Sequence, residues 1–144
     1  MNVLRPLLHH VALTVTDLDA SAEWYSQVFD IKPQFDVPHP GGTGRVLTDD
    51  EQKLGIVLHR HDANASEKFV ETRTGLDHLG LMVSDRSELE RWQDHLVDHG
   101  VERRDAADRP LTQAPIVDEF YGSVLTFRDP DNIALELFCP PPTA

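Results

Sequence analysis

The sequence predicts an α+β fold made of two tandem βαβββ modules, and three observations predict it. The segment "LHHVALTVTDLDASAEW", residues 8 to 24, returns as "LDHLGLMVSDRSELERW", residues 76 to 92, with His, Leu, Val, Asp and Trp matched at one constant offset. In each copy an alternating apolar run passes into an amphipathic stretch, the pattern of a strand with two unlike faces followed by a helix. Each copy is then followed by three short β-prone runs set off by turn-forming residues.

The elements follow in order. In "HVALTV" His10, Ala12 and Thr14 alternate with Val11, Leu13 and Val15, which predicts the first strand. From Asp17 to Asp30 the residues Leu18, Ser21, Ala22, Tyr25, Val28 and Phe29 recur at helical spacing. "KPQFDVP", "GRVLT" and "LGIVLH" supply three strands, separated by "HPGGTG" and "DDEQK". In the second copy "HLGLMV" is a strand. Ser87 with Glu90 offers a capping box for a helix that buries Leu89, Trp92, Leu96 and Val97 and stops at Gly100. "VERRD", "SVLTFRD" and "NIALELF" complete the module. The expected division is module one over 1–62, a polar linker over 63–75 and module two over 76–144, all within a single domain. Residues 106–122, longer than an ordinary hairpin loop and carrying Phe120 and Tyr121, are expected to act as a lid.

Composition narrows the function. With 40% hydrophobic residues in 144, the chain can bury a core. Thirteen Lys and Arg against 25 Asp and Glu give a formal charge of −12, which opposes nucleic acid and anionic membrane as partners. No signal peptide or membrane span is read, and a cytoplasmic location is expected. The single cysteine, Cys139, has no internal disulfide partner, in keeping with a reducing compartment.

The two histidine-bearing copies, together with "FRDPDNIALELF" near the C-terminus, resemble the vicinal oxygen chelate superfamily, the glyoxalase, bleomycin-resistance and extradiol-dioxygenase group. The resemblance covers essentially the whole chain. It implies curved mixed sheets around a cleft, in which the first and fourth strands of each module present residues to one divalent metal. Carried onto this sequence it gives His10, His78 and Glu136 as metal ligands. Neutral imidazole and carboxylate suit Zn, Fe, Mn or Ni, and three ligands leave positions open for substrate oxygens. His9 is expected to point to the opposite face from His10.

At the fourth corner the sequence departs from part of the group, because Val57 aligns with Glu136 where glyoxalase I would have a carboxylate or amide. His59, two residues on, is expected as a substrate contact or proton shuttle, beside Glu136 as the other catalytic candidate. Thr126 falls where the extradiol dioxygenases carry tyrosine. Val57, Arg45, Phe120, Tyr121 and Thr126 are expected to line a substrate pocket, with Arg60, Arg109 and Arg128 as further possible anion contacts. The resemblance implies a small-molecule substrate, a homodimer and a lyase, isomerase or dioxygenase reaction. The alternative is a metal-free protein that sequesters a drug or natural product, for which Trp24, Trp92, Phe120 or Tyr121 would line the pocket.

Overall fold

The computed structural model describes residues 3–64 and 66–143, which form two compact units, Met1–Ala65 and Ser66–Ala144. The first unit contains β1 (Val11–Thr14), α1 (Leu18–Phe29), β2 (Lys32–His39), β3 (Gly42–Thr48) and β4 (Gly55–His61). Its sheet runs β1-β4-β3-β2, with β1 parallel to β4 and the other pairs antiparallel. Alternation along each strand separates two faces. On the helix side Leu13, Leu47, Ile56 and Leu58 pack against Ala22, Tyr25 and Val28 of α1, each at most 3% exposed. Asp17 caps α1 through its side chain, which accepts from the Ala20 amide at 3.0 Å.

The second unit contains β5 (Leu79–Met82), α2 (Arg86–Asp98), β6 (Glu102–Arg103), β7 (Thr112–Gln113), β8 (Val117–Glu119), β9 (Gly122–Arg128) and β10 (Ala134–Cys139). Its sheet runs β5-β10-β9-β7-β6, with β8 on β9, and β5 is parallel to β10 just as β1 is to β4. Leu79, Leu89, Leu96, Leu125, Phe127, Leu135 and Leu137 form its core. Two helices and mixed sheets thus give the expected α+β fold of two modules.

Three details differ from expectation. Helix α2 starts at Arg86, and its cap is Asp85, which accepts from the Glu88 amide at 2.7 Å, rather than Ser87. Glu88 reaches back to the Ser84 amide at 2.6 Å, so the capping box lies two residues earlier than the Ser87–Glu90 spacing predicts. The segment 106–122 is largely built into the sheet, since it contributes β7 and β8 and buries Ala107, Thr112 and Gln113. The stretch from Asp108 to Pro110 and the hairpin tip at Phe120 and Tyr121 stay exposed and outside the strands. The polar stretch after Ser66 is tied to its own unit: the Phe69 amide donates to the Asp131 carbonyl at 2.8 Å, and Glu71 takes a bidentate pair from Arg128 at 2.8 and 3.1 Å.

Candidate metal centre

In the second unit, strand register brings the chemistry together. Glu136 stands opposite Gly80 on one side and Thr126 on the other. Because Leu135 and Leu137 point into the core, Glu136 must point to the opposite, open face. His78 lies two residues before Gly80, immediately ahead of β5, and therefore reaches over the same face. Its Nε2 is 3.5 Å from Glu136 Oε2. Its Nδ1 is 2.7 Å from the Asp77 carboxylate, which can only accept, so Nδ1 donates there and Nε2 is the nitrogen turned toward Glu136. A carboxylate behind a histidine in this way fixes the tautomer that a metal requires. The missing side chain at Gly80 leaves the carboxylate room, since a Cβ there would lie 3.9 Å from Glu136 Oε1.

The first unit repeats the plan with different residues. Val57 pairs with Ala12 and Val46, the position Glu136 holds between Gly80 and Thr126. A buried aliphatic side chain there can neither ligate nor carry a proton. His10 is exposed and sits one residue ahead of β1. His9 does not point away from it, for their Nδ1 atoms are 2.8 Å apart. Both residues precede the strand, where alternation no longer dictates direction. The contact occupies His10 Nδ1 and leaves Nε2 for a ligand.

His59 stands one pleat beyond Val57, opposite Gly44 and Thr14. Its Nδ1 meets His39 Nε2 at 3.2 Å. Partial burial, then the neighbouring His39, His61 and His10 rings, lower its pKa from the usual 6.5. Arg45 drops out of the substrate contacts. Paired with Leu58, it lies on the helix face, where Asp36 takes it at 2.7 and 3.1 Å and Asp19 at 2.8 Å. Arg128 is likewise committed, to Glu71, the Ala107 carbonyl and the Asn132 carbonyl. Arg60 pairs with Asp62, and Arg109 is exposed.

Tyr121 stacks on Phe138 with ring centroids 6.4 Å apart, and Phe138 shares the face of Glu136 two residues along β10. Phe120, 93% exposed, meets the edge of Tyr121. Trp24 packs edge-on against Tyr25 and Phe29 along α1, and Trp92 against His95 along α2, so neither tryptophan belongs to these open faces. Sequence reasoning missed Asp77, whose only signal is a carboxylate directly before a ligand histidine. It also missed His39, which becomes visible only through the β2–β3 register. Among the described residues no three His, Cys, Asp or Glu side chains are already gathered tightly enough to hold an ion.

The comparisons agree with this architecture. The Glyoxalase/Bleomycin resistance protein/Dioxygenase superfamily matches residues 7–137, and the chain belongs to that superfamily. A glyoxylase/bleomycin resistance protein/dioxygenase domain from Frankia sp. EAN1pec is 31% identical, with 98% of this chain and 96% of that one covered and a TM-score of 0.82. A glyoxalase family protein from Enterococcus faecalis is 19% identical over 92% of this chain and 96% of its own, with a TM-score of 0.69. The fosfomycin resistance protein FosX from Listeria monocytogenes, solved with Mn(II) and sulfate, is 16% identical over 96% and 95% of the two chains, with a TM-score of 0.65, a likeness of fold. No curated protein shows significant sequence similarity.

Proposed function

We propose that this chain is a glyoxalase-like, divalent-metal-dependent enzyme acting on two neighbouring oxygens of a small metabolite, with His10, His78 and Glu136 as the metal ligands. The observation that carries the reading is the module-two pair, with Nε2 of His78 3.5 Å from Glu136 and Nδ1 held by Asp77. Two atoms on one ion, each bonded at about 2.0–2.2 Å, stand roughly 3.0–3.5 Å apart, so the pair fits a shared ion with little movement. Mn(II) in the FosX structure supports a divalent ion, alongside Zn, Fe and Ni as choices.

A bound ion would supply Lewis acidity to the two substrate oxygens. The chain's own residues do the rest. Glu136 brings the negative charge, His10 and His78 bring neutral nitrogen, and the Thr126 hydroxyl beside Glu136 offers a hydrogen bond to a substrate oxygen. Val57 provides an apolar wall, which argues against a proton transfer shared between two carboxylates. In module two the stacked rings of Tyr121 and Phe138 offer an apolar surface of their own on the face of Glu136. The working form is a homodimer, and one ion's histidines come from one chain or from two.

The test is metal content and turnover of tag-free protein. Glu136→Ala should abolish turnover together with the ion held at this site, chelation should remove metal and turnover alike, and added Zn, Mn, Ni or Fe should restore the chelated wild type to different extents. If substrate or ligand binding is unchanged by both treatments, the enzyme reading fails. The second reading, sequestration of a drug or natural product without metal, then takes its place. It draws on the exposed apolar side chains of Phe35, Val37, Met82 and Phe120.

A further inference from the structure

We propose that His39, His59 and His61 form a second divalent-metal site, contained wholly within the first module and open to solvent at its fourth position. The inference stands apart from the His10, His78 and Glu136 reading and uses none of those residues as ligands.

Strand register assembles the triad. His39 at the end of β2 and His61 at the end of β4 both pair with Gly42 of the intervening β3, one from each side. His59 pairs with Gly44 on the same strand. All three residues therefore share one face of the sheet, and the two glycines between them carry nothing that would hold them apart. The space is needed: a Cβ at Gly44 would fall 2.6 Å from the His59 ring, and one at Gly42 would meet first the Arg60 carbonyl oxygen and then the His39 ring at 2.8 Å. The ring centroids are 5.2 Å apart for His39 and His59, 5.3 Å for His39 and His61, and 6.0 Å for His59 and His61.

Two of the three rings already present nitrogens to each other. His39 Nδ1 lies 3.2 Å from the Pro40 carbonyl, which can only accept, so Nδ1 carries the proton and Nε2 carries a lone pair. That lone pair faces His59 Nδ1 at 3.2 Å. Two imidazole nitrogens bonded to one tetrahedral zinc at about 2.0 Å stand roughly 3.3 Å apart, so an ion can replace the proton now shared between these rings without moving them far. The backbone carbonyl behind His39 is the kind of partner that orients a ligand histidine. His61, half-exposed at the strand end, completes the set by turning about its side-chain bonds. This gives His59 a ligand's role in place of the proton shuttle expected from the sequence. All-nitrogen ligation selects zinc, nickel, copper or cobalt over calcium or magnesium.

The experiment titrates Co2+ into metal-free, tag-free protein and follows the visible absorption that low-symmetry coordination intensifies, with the stoichiometry read by mass spectrometry. In Glu136→Ala one ion per chain should remain. Adding His61→Gln or His39→Gln to that background should remove it and its absorption, while circular dichroism stays unchanged because both side chains lie at strand ends. Gly44→Ala, which deletes no ligand but displaces the His59 ring, should weaken the remaining site at least tenfold. Cobalt that stays bound in Glu136→Ala and ignores His39→Gln and His61→Gln overturns the proposal, and so does a Glu136→Ala protein that binds none. If Glu136→Ala changes nothing in wild-type stoichiometry while His39→Gln and His61→Gln remove the ion, this site stands and the other reading falls.

Discussion

Gly80 and Glu136 face each other directly across the parallel pairing of β5 and β10. The carboxylate lies where a side chain at position 80 would extend, 3.9 Å from an added Cβ. An alanine fits in ordinary contact, whereas a longer branched residue extends toward the carboxylate. Gly80→Ala should keep metal affinity within about threefold, whereas Gly80→Leu should lower it about tenfold or more by pushing Glu136 aside. Because residue 80 is exposed, thermal unfolding of the metal-free protein should move little in either. Calorimetric metal titration beside a melting curve checks both. Equal loss of affinity and of folding in Gly80→Leu would mean the residue serves the sheet.

Asp77 holds His78 Nδ1 at 2.7 Å and is itself well exposed. Asp77→Asn keeps the shape and removes the charge that raises the basicity of the ring. Metal affinity at neutral pH should fall about 10–100-fold, with the fold intact. Competition with a chelator of known affinity measures the change.

The fold was legible in the sequence because the repeat carries it. Strand alternation in "HVALTV" and "HLGLMV", with the Asp17 cap, places the first strands and helices within a residue or two. The family match and the structural likenesses bear this out. The short strands β7 and β8 were not legible. Their two and three residues are too few for a period, and they exist because β9 offers an edge to pair with. At the site, the alignment placed Val57 and Glu136 at equivalent register, as the strand pairing has them. Arg45 was expected in the substrate pocket because sequence spacing does not reveal that Asp36 and Asp19 come to it from a neighbouring strand and from α1. His39 was invisible for a like reason, since only the pairing through Gly42 brings it beside His61.

The Glu71–Arg128 pair predicts an acid-side loss of stability. The Arg128 guanidinium lowers the Glu71 carboxyl from 4.5 to about 2. A depressed folded pKa stabilises the folded state above the unfolded value and loses that contribution as pH falls from about 4.5 to about 2. Glu71 is 38% exposed, so solvent screening reduces the effect, to about 1 kcal/mol at neutral pH. Glu71→Gln should lower stability by that amount at pH 7 and flatten the acid limb of the curve. Urea unfolding at a series of pH values tests it, and a variant whose acid limb is as steep as wild type would contradict it.

Val57 offers the sharpest test of how the two modules correspond. It sits between Ala12 and Val46 as Glu136 sits between Gly80 and Thr126, but it is only 8% exposed. Val57→Glu therefore places a carboxylate at the register position equivalent to Glu136, which in the proposed site carries no ligand. Without metal that carboxylate is poorly solvated and unpaired, and the variant should lose about 2–4 kcal/mol of stability or keep the group protonated at neutral pH. With zinc or manganese, an additional anionic ligand should recover most of that loss, and the metal-dependent rise in melting temperature should exceed that of wild type. The gain should vanish when His10→Ala is added, because an ion at this corner depends on the first-module histidine. Destabilisation that metal does not reverse would place Val57 in the packing of its own sheet and nowhere near the ion.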